Sequence, residues 1–80
     1  MTKIELKTKL EQAGVCVEAY SLDGGLPNER YVLSHEANGR WVVYYSERGQ
    51  KGSLRSFDLE SAACQYFLEH ILEDPTARRR

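Results

Sequence analysis

The chain is poor in everything that marks a special compartment or a ready-made catalytic centre. Its two cysteines, Cys16 and Cys64, stand far apart and outside any short-spacing motif, so neither a disulfide framework nor a Cys-x-x-Cys pair is written into it. No basic start followed by an apolar run and a small-residue cleavage site marks a secretory leader. The expectation is a cytoplasmic protein with reduced thiols. Long apolar runs are missing too, the longest being a strand-length segment, far short of the roughly 20 residues that cross a bilayer. Nor is there an excess of one charge, since a net charge of −1 with 29% charged residues leaves no general pull toward nucleic acid.

Chemistry-bearing residues are present but scattered. His35, His70, Cys16 and Cys64 are metal-ligand types, yet no two of them lie within five positions, unlike the close pairs of structural zinc sites. No metal and no cofactor is expected. Gly24-Gly25 is not followed by a helix opening on Lys-Ser/Thr, which makes it a poor phosphate cradle. A ribonuclease-like or thiol site would need His35 or Cys64 beside a second acid-base group and an anion pocket. His35, Glu47 and Arg48 could meet only in a strained arrangement, because Glu47 and Arg48 fall beyond the strand end if His35 pairs with Val42 to Tyr44. Eighty residues leave little volume for a closed pocket, so the chain is expected not to be an enzyme.

What is there is one small domain. Hydrophobic residues make up 41% of the chain, and a domain of this size buries only about 60 to 65% of its unfolded surface. Residues 1–74 form the expected domain and residues 75–80 a tail, in which Arg78-Arg79-Arg80 reads as a frayed end in preference to a contact arm. Thr2-Lys3-Ile4-Glu5 fits a capping box, so a helix is predicted over residues 3 to 13, with Ile4, Leu6, Leu10 and Ala13 as its apolar stripe and Gly14 as its left-handed cap. Residues 14 to 29 lose their period, and Asp23-Gly24-Gly25-Leu26-Pro27-Asn28 reads as a loop.

Tyr31 to Ala37 and Arg40 to Glu47 read as strands joined by Asn38-Gly39, a two-residue type I′ turn. Arg48 to Gly52 makes a second turn, and Ser53 to Phe57 returns as a third strand. Asp58 is the predicted N-cap of a second helix, whose lid is Ala63, Cys64, Phe67, Leu68 and Ile71, flanked by Tyr66 and Leu72. Pro75 closes it. The expected fold is α+β, in the order α-β-β-β-α, a three-stranded antiparallel meander with both helices packed on one face.

The central strand carries the functional signal. Alternation puts Trp41, Val43 and Tyr45 on one face and Val42, Tyr44 and Ser46 on the other, and neither is a solvated face. Helices on one side would leave the other open to a partner. The element order is also that of double-stranded RNA-binding domains, but those use a lysine-rich start of the second helix, where this chain has Asp58-Leu59-Glu60-Ser61. That charge repels phosphate, although Arg40, Lys51, Arg55 and the terminal arginines keep an RNA-binding module as the alternative. Glu29 and Glu47 beside an aromatic centre would instead suit a basic protein partner, and an exposed aromatic face could also close a homodimer.

Three stretches together resemble a known group. They are Gly25-Leu26-Pro27-Asn28-Glu29-Arg30-Tyr31-Val32-Leu33, then Trp41-Val42-Val43-Tyr44-Tyr45-Ser46-Glu47-Arg48-Gly49, then Ala63-Cys64-Gln65-Tyr66-Phe67. They resemble the small single-domain immunity proteins of bacterial polymorphic toxin and contact-dependent growth inhibition systems. The resemblance covers roughly residues 20 to 72, and its most specific part is the Val-Tyr-Tyr-Ser-Glu-Arg-Gly string. It implies a cytoplasmic inhibitor that binds a cognate toxin domain, often a nuclease, and occludes its active site. It supplies no catalytic motif. On the residues, the expected contacts are Tyr44 and Tyr45 as anchors, Glu29 and Glu47 as charge complements, and Arg48 orienting the loop.

Overall fold

The computed structural model describes residues 1–25 and 28–74. The anticipated tail, the closing role of Pro75 and the Leu26-Pro27 part of the loop lie outside them. Helix α1, Lys3–Gln12, begins on the anticipated capping box. The Glu5 amide donates to Thr2 Oγ1 at 3.3 Å, and the Thr2 amide donates to Glu5 Oε1 at 2.8 Å. Only Leu6 and Leu10 of the predicted stripe are buried, while Ile4 is 78% exposed. A single 3-10 turn, Val17–Ala19, and a two-residue strand β1, Tyr20–Ser21, then precede β2, Arg30–His35, β3, Trp41–Glu47, and β4, Gln50–Phe57. Helix α2, Glu60–Leu72, completes the chain of elements.

The architecture is α+β with two helices, as the periodicity requires, but the sheet has four strands and is mixed. Its order is β1-β2-β3-β4, with β1 parallel to β2 and the other pairs antiparallel. The three-stranded, wholly antiparallel meander is thus corrected. Two residues are too few to carry an alternating pattern, which is why β1 has no sequence signal. Its parallel pairing forces the connection to travel back along the sheet before β2 can start.

The two hairpin turns also differ from expectation. Asn38-Gly39 belongs to a longer turn, in which the Gly39 amide donates to the Glu36 carbonyl and the Glu36 amide to the Arg40 carbonyl, with Gly39 at φ 88. The two-residue turn is Arg48-Gly49, between paired Glu47 and Gln50, and both of its residues have positive φ, 53 and 77, as a type I′ turn demands. At α2 the N-cap is Leu59, without a side-chain bond. Asp58 serves another end, accepting an ion-paired hydrogen bond from Arg40.

One buried cluster joins both helices to one sheet face. Leu6 and Leu10 meet Ala63, Cys64, Phe67 and Ile71 over Leu33 and Val43, with Tyr20 edge-on to Phe67. The helix starts are tied together where the Lys3 amide donates to Glu60 Oε2 at 2.8 Å, placing an acid at the positive end of α1. β4 is the exposed edge. A register shift opposite Val43 to Tyr45, positive φ at Ser53 and the charges of Lys51 and Arg55 make it a poor template for further strand pairing.

Candidate functional site

The sheet face away from the helices is the one that looked open in sequence, and it is closed. Val32, Val42 and Tyr44 form a second buried cluster, Tyr44 being 3% exposed and Ser46 fully buried. The connection from β1 to β2 crosses this face. Tyr44 Oη donates to the Gly25 carbonyl at 2.6 Å, the Gly24 amide donates to the Leu33 carbonyl at 3.1 Å, and the Arg48 amide donates to Asn28 Oδ1 at 3.1 Å. Gly24 has φ 74, and a Cβ there would sit 3.0 Å from Ser34 Oγ, so both its backbone angle and its space require glycine. The ammonium of Lys51 lies 4.8 Å from the centre of the Tyr44 ring, in the range of a cation–π contact. Tyr44 is therefore a core residue and not an anchor.

The accessible aromatic surface lies on the helix side instead, along one flank of α2. Phe57 meets Tyr66 at 5.4 Å, Tyr66 stacks on His70 at 5.3 Å, His70 meets Tyr31 edge-on at 5.7 Å, and Tyr31 meets Tyr45 at 5.0 Å. All five rings are half-buried. Cross-strand pairing of Tyr31 with Tyr45 fixes the last contact, and Tyr31 Oη donates to Asp74 Oδ2 at 3.0 Å. Burial, then that hydrogen bond and the charge of Asp74, push the Tyr31 phenol up to about 12.

Tyr45 stands at the acidic end of this run. Its phenol is raised by burial first and then by the fields of Glu29, Glu47 and Asp74, so three carboxylates converge on one half-buried ring. A depression of about 110 Å³ beside it is lined by Glu47, Gln50, Lys51 and Gly52. Glu29, Glu47 and Arg48 are exposed, and Glu29 and Arg48 are held at positive φ, 56 and 53. The structure thus brings together Tyr45, Glu29, Glu47 and Arg48 of the expected contacts, adds Tyr31 and Asp74, and removes Tyr44.

No family model matches the chain, and no curated protein or solved structure matches it significantly.

The other chemistry weighed in sequence has separate fates. His35 stacks on Trp41 at 4.0 Å, at the opposite end of β3 from Glu47, about 20 Å away at strand rise, so the two cannot share a reaction. Burial pushes the Cys64 thiol up to about 11. Among the described residues no three His, Cys, Asp or Glu side chains are grouped to hold a metal ion, and no helix is long and apolar enough to cross a membrane. Of the cations named for RNA, Arg40 is engaged by Asp58 and by Ser56 Oγ at 2.6 Å, Lys51 lies over Tyr44, Arg55 is exposed on β4, and the terminal arginines lie outside the described residues.

Proposed function

We propose that this chain is a binding inhibitor, an immunity-type protein that occludes the active site of a cognate bacterial toxin domain. The observation that carries the reading is the half-buried Tyr45–Tyr31 pair ringed by Glu29, Glu47 and Asp74. Tyrosines of this kind contribute large contact area with few rotors. Carboxylates around them steer a basic surface into place and reject acidic ones. A nuclease cleft is such a surface, because it must hold phosphates. The resemblance carried by the Val-Tyr-Tyr-Ser-Glu-Arg-Gly string supplies the toxin, and the inhibitor acts in the cytoplasm where that toxin would do damage.

The mechanism is steric and electrostatic, with no bond made or broken. The hairpin end is rigid enough for it, since Arg48 and Gly49 form a tight turn tied by Asn28 to the loop. Preorganisation of this kind lowers the cost of ordering on binding. The test is capture from native lysate at moderate salt with nuclease present. One stoichiometric partner with a basic domain, whose activity falls on addition of the purified chain, is expected. Recovery of the chain alone as a homodimer, or of RNA-borne proteins that vanish with nuclease, overturns the reading.

A further inference from the structure

A second recess lies where α1 approaches the short edge strand β1 and the start of β2. It is an open groove of about 270 Å³, just below the range of about 300 to 1,000 Å³ in which proteins hold low-molecular-weight ligands. Its lining is mixed, with an apolar part beside polar and charged groups. Tyr20 and Leu22 contribute to the apolar part, as does Val17, which is 67% exposed and is the kind of apolar group a bound ligand would cover.

The recess carries charge of both signs, Lys7, Arg30 and Asp23 lining it and Glu11 acting on the Tyr20 phenol. Asp23 is satisfied from outside, by the Lys3 ammonium at 3.3 Å. The Ser21 hydroxyl is likewise committed, donating to the Gly24 carbonyl at 3.3 Å and accepting from the Asp23 amide at 3.5 Å. Lys7 and Arg30 also line the recess, and neither has a carboxylate partner among the described residues. Two cations without an ion-pair partner among the described residues therefore line a recess of mixed polar and apolar lining. Arg30 is half-buried at the start of β2, and a guanidinium can grip an oxyanion with two parallel donors.

We infer that this recess binds a small organic anion, with a phosphate or carboxylate head held by Lys7 and Arg30 and an apolar body laid on Val17, Tyr20 and Leu22. The recess adjoins the acidic–aromatic end, since Arg30 lies between Glu29 and Tyr31 and pairs with Ser46, but its assignment does not rest on how that end is used.

The experiment is a ¹⁵N-correlation titration of the full chain with phenyl phosphate, benzoate and inorganic phosphate, against sodium chloride at matched ionic strength. Saturable shifts are expected in the amides of Lys7, residues 17–23 and Arg30. Phenyl phosphate or benzoate should bind at least about tenfold more tightly than inorganic phosphate, since only they carry the apolar body. The tighter of the two identifies the head group. Arg30→Gln and Lys7→Gln should each weaken binding about tenfold, while Lys9→Gln, on the exposed side of α1, should leave it unchanged. Shifts that rise linearly without saturating, that spread over the surface, or that survive both glutamine variants overturn the site. Equal affinity for inorganic phosphate overturns the organic part of the assignment.

Discussion

Replacing Tyr44 separates a core residue from a contact residue most sharply. The ring is 3% exposed, packed with Val32 and Val42, covered by Lys51, and closed by the hydrogen bond from its hydroxyl to the Gly25 carbonyl. Tyr44→Phe removes only that bond. The cost should be about 1 kcal/mol, because Gly25 is exposed and water can take the carbonyl over. Tyr44→Ala removes the ring as well and leaves a cavity, which costs about 3–5 kcal/mol for a buried aromatic. A domain of this length has only about 4–12 kcal/mol in total, so the alanine variant should be marginally folded. Urea unfolding followed by Trp41, the single tryptophan, provides the assay. With a slope of about 1 kcal/mol per molar urea, the midpoint should fall by about 1 M for the phenylalanine variant and by about 3 M or more for the alanine variant. An alanine variant within about 0.5 M of the parent would refute the placement of Tyr44 in a closed second cluster.

Further expectations concern the turn, the thiols and alkaline pH. Arg48 has φ 53 in a two-residue turn before Gly49, so Arg48→Asn, giving the preferred Asn-Gly pair, should raise stability by about 0.5–1 kcal/mol; a lower urea midpoint would contradict the turn assignment. Cys64 is buried with its thiol raised to about 11, whereas Cys16 is half-buried. A disulfide reagent should therefore label Cys16 in the native protein and Cys64 only on unfolding, as mass spectrometry of the labelled peptides would reveal. Tyr31 holds its proton up to about 12 against an ordinary 10, so the folded state binds that proton more tightly than the unfolded one. Its contribution is complete below pH 10 and is lost between pH 10 and about 12. Thermal melts across that range should fall more gently for Tyr31→Phe than for the parent, and parallel declines would contradict the Tyr31–Asp74 contact.

Much of the fold was legible because its signals are local. The capping box at Thr2 and Glu5, the apolar spacing of α2 and the alternation of β3 each depend on a few neighbouring residues. β1 was not legible, since Tyr20 and Ser21 become a strand only by pairing with Tyr31 and Val32. That single omission also hid the closure of the second face, because the connection forced by the parallel pairing is what crosses Tyr44. Turn length mattered as much. A two-residue turn at Asn38-Gly39 would set Tyr31 opposite Ser46, on the wrong face, whereas the longer turn sets it opposite Tyr45. A one-residue slip exchanges the faces of a strand, and this one concealed the aromatic pair at the centre of the candidate site. Tyr45, Glu47 and Arg48 could be named in advance because they lie at the β3–β4 turn in sequence, and Glu29 because it is an acidic residue just before β2. Asp74, which joins them only through the docking of α2, could not.

The most direct test of the central claim is the affinity of the purified partner for the parent chain and for folded Tyr45→Ala and Glu29→Lys/Glu47→Lys variants, measured over a range of salt. The account predicts at least about tenfold weaker binding for Tyr45→Ala, through faster dissociation, and slower, less salt-sensitive association for the charge-reversed pair. Parent-like affinity and parent-like salt dependence in both variants would place the partner elsewhere and contradict the account.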